Sequence, residues 1–209
     1  MITAVASQSQ ISCSAVCWST GGCCVGDLAV HSERRKGKFR RRFHKGEVDM
    51  TPREFFVERR RAEFPIFLQV LKALPADRLA YRPHDRCPSA EQLVWTLTSE
   101  LKACLDAATE YRAEWRAEPP PPLNEMLALF EQWSRELTEA VSNMDEASWN
   151  RVAQFYYNGK VVSEQPVGQF LWFILFDAIH HRGQLSAYMR PMGGNVPSIY
   201  GPSADSRAT

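Results

Sequence analysis

Apolar residues recur at the i, i+3, i+4, i+7 spacing of amphipathic helices in several segments of the chain. A first helix is predicted to begin at TPRE, residues 51–54, where a capping box carries proline at the first helical position, and to end near Leu74 and Pro75. A second should begin at another capping box, SAEQ at residues 89–92, and a third after the prolines at 119–122, which cannot continue a helix. Each helix would bury one apolar face against the others.

The fourth predicted helix differs from the others because its first half is apolar on nearly every side. It should run from about Pro166 to Arg190, and its segment LWFILF, residues 171–176, indicates a buried position. Before it, residues 149–164 alternate briefly around an Asn-Gly pair, which is typical of a small hairpin. We therefore predict an all-α protein: an up-down four-helix bundle with a hairpin before the last helix and a C-terminal segment that packs back across the helices.

Residues 1–49 have a composition unlike the rest of the chain. A Ser-, Cys- and Gly-rich run is followed by the basic block ERRKGKFRRRFHKGE, and neither part keeps a helical or alternating period. We expect this extension to be disordered and residues 50–209 to form the folded domain. Because Met50 opens the patterned part, we also expect the extension to be absent from the native protein.

The charge of the chain is nearly balanced, with a formal net charge of +1. The extension holds eight Lys or Arg and four Asp or Glu, so the predicted domain carries about −3. This balance argues against nucleic-acid binding by the domain and leaves the basic block as the segment suited to it.

The sequence also limits the compartment. No apolar run approaches the roughly 18 to 20 residues of a membrane span, and the basic residues follow the N-terminal apolar run, whereas in a secretory signal they precede it. The four N-terminal cysteines match no common zinc or disulfide pattern. We expect Cys87 and Cys104 to be reduced thiols and the protein to be soluble and cytoplasmic.

Asp177 and His181 place a carboxylate and an imidazole one turn apart on the fourth helix. Gln184 and Tyr188 extend the same stripe, whereas His180 points about 100 degrees away. Carboxylate and imidazole donors suit a divalent metal ion. A hydrogen-bonded Asp–His pair in a helical core explains the same spacing, which does not by itself separate the two interpretations.

Four stretches of the sequence resemble the DinB family of damage-inducible metalloenzymes. They are HHRGQ at residues 180–184, GGNVPSIYGPSAD at 193–205, SAEQLVWTLTSE at 89–100 and ERRRAEFPIFLQVLKALP at 58–75. The resemblance covers residues 50–205 and implies a four-helix bundle that is often dimeric. It also implies three histidines that bind nickel or zinc, one from the second helix and two from the last, and a metal that activates a low-molecular-weight thiol cosubstrate.

Of the three histidines that the resemblance implies, this chain has one, His181. Asp177 stands where the earlier histidine of the last helix would be, and Thr96 stands at the second-helix position. Glu100 lies one turn beyond Thr96 on the same face. We therefore predict a metal site of His181, Asp177 and Glu100 that holds nickel, zinc or manganese, with Thr96 as a further ligand or as the group that orients a bound nucleophile.

Two functions follow from this predicted site. The first is a metal-dependent thiol transferase or hydrolase that acts on a small molecule, with Gln184, Tyr188 and Arg182 orienting the substrate. The second is a non-catalytic bundle with a degenerate metal site, an interaction or structural protein of stress responses, in which the polar residues form a hydrogen-bonded network. In that network Arg182 would be the counter-ion of Asp177. A homodimer is expected in both cases.

Overall fold

The computed structural model describes residues 50–115 and 118–205. The N-terminal extension lies outside the described residues, and so do the predictions of its disorder, its absence from the native protein and its basic-block function. Cys87 and Cys104 are both free thiols. Among the described residues, no helix is long and apolar enough to span a bilayer.

Helices make up most of the described chain. In chain order they are α1 (Pro52–Lys72), α2 (Ala90–Glu110), α3 (Leu123–Asn143), α4 (Glu146–Trp149) and α5 (Val167–Met189), with one 3-10 turn at Ala76–Arg78. The four long helices are the predicted ones. The one-turn helix α4 was not predicted, because four residues are too few for an apolar period to repeat.

Both predicted capping boxes are present. The Thr51 hydroxyl accepts from the backbone N–H of Glu54 at 3.2 Å, and the Glu54 carboxylate accepts from the Thr51 N–H at 2.8 Å. Ser89 and Gln92 form the same pair of bonds at the start of α2. Each box satisfies two backbone donors that a helix start would otherwise leave without a partner, so the sequence defines both helix starts closely.

A three-stranded sheet makes the all-α prediction incomplete. The predicted hairpin forms from β2 (Val152–Tyr157) and β3 (Lys160–Pro166), with Asn158 and Gly159 at positive φ in its turn. A third strand, β1 (Arg112–Trp115), pairs parallel with β2. Strand β1 was missed because only one of its four residues is buried, and its partner lies about 40 residues further along the chain.

Each of the four long helices packs against two of the others. Helix α2 packs against α3 and α5, and α1 packs against the same two helices. The shared core consists of large aliphatic side chains that are almost fully buried, among them Val70, Leu71, Leu93, Leu97, Leu171 and Leu185. The up-down direction of the helices stays a prediction.

Helix α5 is not buried on every side, contrary to the expectation for its apolar first half. Phe173 and Phe176 are 55% and 63% exposed. Their neighbours Leu171 and Leu175 are buried, so the helix has one core face and one apolar surface face. An apolar run in a sequence indicates side chains that favour burial. It does not indicate whether the same chain or a partner buries them.

The C-terminal segment packs back on the helices, as predicted. Val196 and Ile199 are partly buried against the core, and the backbone N–H of Gly194 donates to Met189 at 2.9 Å. Ser203 and Asp205 bond to the backbone of Val196, so the segment folds onto itself. It continues α5 as a compact loop beside α1.

Gly168→Ala is expected to destabilise the protein by about 1 to 3 kcal/mol, because the added methyl group would overlap the indole of Trp149, which packs directly on α5. Gly183→Ala is the matched control on the same helix: its methyl group meets open space and should stabilise by about 0.5 to 1 kcal/mol through helix propensity. Urea unfolding followed by circular dichroism measures both. Equal effects of the two substitutions would contradict the packing of α4 on α5.

Candidate metal centre

Three ionisable side chains from two helices meet inside the protein. Glu100 lies on α2, Asp177 and His181 lie one turn apart on α5, and the two helices pack together. His181 Nε2 lies 3.8 Å from Glu100 Oε1 and 3.5 Å from Asp177 Oδ2. One donor atom from each of the three residues lies within 4.8 Å of the other two. The expected stripe on α5 therefore faces α2.

The cluster is buried on one side and open on the other. The side chains of Glu100 and His181 are 6% and 9% exposed, whereas that of Asp177 is 30% exposed. Glu100 Oε2 is fully buried and has no hydrogen-bond partner among the described residues. A buried carboxyl oxygen without a partner is costly, so this atom needs a further neighbour such as a cation or a water molecule.

Gln184 orients the imidazole of His181 through the ring nitrogen Nδ1, which lies on the side away from the carboxyl groups. Nδ1 lies 3.0 Å from Gln184 Oε1. Because an amide oxygen can only accept, Nδ1 carries the proton of that bond, and in the neutral ring Nε2 keeps its lone pair. Nε2 faces the two carboxyl groups. A histidine held in this way presents the nitrogen that a metal ion binds.

The three groups perturb one another's protonation. Burial raises the pKa of Glu100 well above its ordinary value, and the charge of Asp177 and a hydrogen bond to it raise this pKa further. Hydrogen bonding by His181 lowers the pKa of Asp177 against the opposing effect of its partial burial. Burial works to lower the pKa of His181, but hydrogen bonds with Asp177 and Gln184 outweigh it, so that this pKa is raised. Without a cation, the surroundings of Glu100 and His181 therefore favour the protonated form of each group.

The donor set fits a divalent metal ion. It combines one imidazole nitrogen with two carboxylates, a set suited to zinc, nickel or manganese. Glu100 places Oε1 3.8 Å from the imidazole Nε2, while its buried Oε2 has no hydrogen-bond partner among the described residues. Protons held by Glu100 and His181 would be released when an ion binds, as expected for a metal site.

The other predicted site residues have different surroundings. Thr96 is partly buried on α2, one turn before Glu100, and its role as a ligand or orienting group stays a prediction. Gln184 is partly buried, and its Oε1 lies 3.0 Å from His181 Nδ1. Tyr188 is buried, packs edge-on against Tyr81 at 5.7 Å and donates to the Pro88 carbonyl at 3.3 Å. The roles of Gln184 and Tyr188 in orienting a substrate are still predictions.

The predicted pairing of Arg182 with Asp177 is wrong. Arg182 is 2% exposed, and its Nη1 donates to Glu63 Oε2 on α1 at 2.6 Å. Its Nη2 contacts the Tyr200 hydroxyl at 2.5 Å, and this hydroxyl also bonds to Glu63 at 2.9 Å. Residues five apart on a helix point about 140 degrees away from each other, so Arg182 faces α1 while Asp177 faces α2. Its predicted contact with a substrate has no support in these bonds.

Fold and site together define a mostly helical protein that holds a buried carboxylate–histidine cluster between two helices. The sequence matches the model of the DinB family over residues 35–208. The chain belongs to the DinB family.

Similar proteins agree with this assignment. A DinB-like protein of Bacillus subtilis, YjoA, has 18% sequence identity and a TM-score of 0.54, covering 74% of this chain and 99% of its own. A DinB-like protein of Bacillus cereus has 20% identity and a TM-score of 0.57, covering 70% and 97%. At these identities the likeness shows the fold alone. The uncharacterized protein YrdA of Bacillus subtilis is 43% identical over 42 residues, which is 20% of this chain and a quarter of that protein.

The free energy of unfolding of metal-free protein is expected to fall as pH rises from 5 to 6. Above the ordinary carboxyl pKa of 4.5, the unfolded chain has released the Glu100 proton while the folded protein retains it. The slope approaches about 1.4 kcal/mol per pH unit for one retained proton. Above pH 6.5 the raised pKa of His181 adds a second loss of the same sign.

Urea titrations of chelator-treated protein at several pH values measure this dependence. Glu100→Gln removes the titrating carboxyl group at nearly constant shape and should flatten the profile between pH 5 and 6. A wild-type stability that is constant or rising over this interval would show that Glu100 is ionised in the folded protein.

Proposed function

We propose that this protein is a metal-dependent enzyme that acts on a small molecule, as a thiol transferase or a hydrolase. The supporting observation is the meeting of Glu100, Asp177 and the oriented Nε2 of His181 at one partly open point between α2 and α5. These three residues would hold the ion. A bound divalent ion would supply Lewis-acid activation, lowering the pKa of a thiol or water so that it attacks an electrophile at neutral pH.

Other parts of the proposed mechanism would depend on residues of the protein itself. Glu100 and His181 are buried on two helices that pack together, so they define the closed side of the site. Gln184 Oε1 accepts a hydrogen bond from Nδ1–H of His181, which leaves Nε2 as the nitrogen that can bind an ion. Asp177 borders solvent, and the thiol or substrate would enter beside it. Thr96 would orient the nucleophile from α2.

The alternative function is a non-catalytic protein with a degenerate metal site. In that protein the three residues would form a hydrogen-bonded network that stabilises one packing of the helices. In that case the cluster would bind no ion, and removing His181 would cost about 1 to 3 kcal/mol of stability because Glu100 and Asp177 lose a partner. The meeting of one imidazole nitrogen and two carboxyl groups, with donor atoms within 4.8 Å of one another, favours the metal site.

Untagged, chelator-treated protein is expected to bind about one equivalent of nickel, zinc or manganese in a calorimetric titration. His181→Ala should weaken binding by more than about 100-fold, and Gln184→Ala by about 10- to 100-fold because the ring loses its orientation. His180→Ala is the matched control, since the neighbouring histidine is exposed and should leave binding unchanged. If none of the three ions binds wild-type protein, the proposed function is wrong.

The thiol-transferase and hydrolase alternatives can be separated on cobalt-substituted protein. Addition of a low-molecular-weight thiol, with cysteine as the probe, should produce a new near-ultraviolet absorption from a sulfur–cobalt bond if a thiol is the cosubstrate. An unchanged spectrum at saturating cysteine would favour water as the nucleophile.

We also propose a homodimer that forms through an apolar surface cluster of Phe55, Trp172, Phe173 and Phe176. Three of these side chains are 46% to 63% exposed. Trp172 links the cluster across two helices, with ring centroids 5.6 Å from both Phe55 and Phe176. Clustered aromatic side chains on a surface are typical of protein interfaces. The cluster borders Asp177, so a partner would lie near the opening of the metal site.

Phe176→Glu is expected to convert the dimer to a monomer, because a charged group in the centre of an apolar interface lacks a partner. Light scattering after size exclusion measures the mass. Val162→Glu is the control, since Val162 is 55% exposed on β3, outside the cluster. A wild-type protein that is already monomeric, or a dimer that persists in Phe176→Glu, would contradict the proposed interface.

A further inference from the structure

Arg60 is a buried cation with one hydrogen-bond donor still unused. It lies on α1 and is 8% exposed. Its Nη2 donates to the Ser134 hydroxyl of α3 at 2.7 Å, and its Nε is buried with no hydrogen-bond partner among the described residues. Burial lowers the pKa of Arg60 to about 10, so the guanidinium remains charged at neutral pH. A buried, charged donor without a partner is costly, so Nε needs an acceptor.

Two carboxyl groups share a cavity wall with Arg60, and one of them has an unused oxygen. Glu63 and Glu100 both line this cavity. The two oxygens of Glu63 accept from Arg182 at 2.6 Å and from Tyr200 at 2.9 Å. Glu100 Oε2, in contrast, is buried with no hydrogen-bond partner among the described residues. Glu100 is therefore the carboxyl group that needs a donor where Arg60 has one to give.

Arg60 and Glu100 do not meet directly. No carboxylate oxygen of the described residues lies within 4.0 Å of the Arg60 guanidinium, the limit for an ion pair. A buried donor and a buried acceptor thus belong to two side chains that border the same cavity without touching. A bridging group that accepts from one and donates to the other would satisfy both.

The size and lining of the cavity suit one water molecule. Its volume is about 20 Å³, and a single water needs roughly 10 to 15 Å³. Since the Ser134 hydroxyl accepts from Arg60, its own hydrogen is available as a third bond to a water in the cavity. The Cys104 thiol in the same wall is neutral, because burial raises its pKa far above the ordinary value. Buried waters typically make about three hydrogen bonds, the number available here.

We propose that one buried water molecule accepts from Arg60 Nε and donates to Glu100 Oε2, and that Arg60 positions Glu100 for the metal ion through this bridge. The inference rests on the proposed metal-dependent function. With Oε2 held from the side of α1, Oε1 stays toward His181 Nε2, 3.8 Å away. Metal-binding carboxylates are in turn oriented by hydrogen bonds of this kind. Arg60 is a positioning residue, because it acts on the ion only through Glu100.

The charge of Arg60 and its orienting bond affect ion binding in opposite directions. A positive charge near the site repels a cation, so its loss alone would tighten binding. Loss of the bridge would free the Glu100 carboxyl group to turn away from His181 and would weaken binding. Loss of an orienting partner costs about 10- to 100-fold in metal affinity, and we expect this effect to exceed the repulsion.

A high-resolution crystal structure of chelator-treated, full-length protein tests the bridge without any ion. An ordered water is expected within about 3.2 Å of both Arg60 Nε and Glu100 Oε2. A cavity without an ordered water, or a water that contacts only one of the two atoms, would overturn the proposal.

Cobalt titration tests the effect of the bridge on Glu100, with calorimetry for affinity and visible absorption for the coordination of the ion. Arg60→Met, an apolar chain of similar length, should weaken cobalt binding by about 10- to 100-fold and shift the absorption bands, because Glu100 coordinates differently. Arg60→Lys keeps a charged donor of similar reach and should restore most of the affinity and the wild-type spectrum. Arg61→Met is the matched control: it removes an exposed neighbouring arginine and should change neither readout.

Wild-type affinity and spectrum in a folded Arg60→Met protein would overturn the positioning role, and so would tighter binding, which charge repulsion alone explains. Should Arg60→Met not fold, Ser134→Ala takes its place: it keeps Arg60 but releases Nη2, and it should weaken cobalt binding several-fold. Unchanged binding in that variant would also overturn the role. If wild-type protein binds no cobalt, nickel, zinc or manganese, the proposed function is wrong, and the crystal structure alone decides the water bridge.

Discussion

The polar interior depends on the ion pair between Arg182 and Glu63. This pair joins α5 to α1, stacks the guanidinium 4.5 Å above the Phe67 ring and is closed by the Tyr200 hydroxyl. Because Arg182 follows His181 directly, fixing Arg182 toward α1 also sets the rotation of α5 that turns His181 toward α2. A buried ion pair that loses one partner costs about 3 to 5 kcal/mol, so few other rotations of α5 are accessible.

The helices were predictable from the sequence because their signals are local. Capping boxes at Thr51 and Ser89, the proline run before α3 and the i, i+3, i+4 apolar spacing act over one or two turns. Strand β1 and the exposure of Phe176 were not predictable in this way. The first depends on a partner strand distant in sequence, and the second depends on which face of α5 the other helices cover.

In the candidate site, too, features set by local sequence were predictable and contacts between distant residues were not. Asp177 and His181 were placed on one face by their spacing alone, and Glu100 followed from its position one turn beyond Thr96. The partner of Arg182 was predicted wrongly because Asp177 was nearby in sequence, while Glu63 lies 119 residues away. Arg60 is one of three consecutive arginines, and only the packing of the helices shows that this one is buried.

The Tyr200 hydroxyl bonds to one group 18 residues before it and to another 137 residues before it. Both bonds require α1 and α5 to be docked, so the position of the loop after α5 is coupled to the packing of these two helices. Proteolytic resistance of this loop should therefore report directly whether the first and last helices have come together.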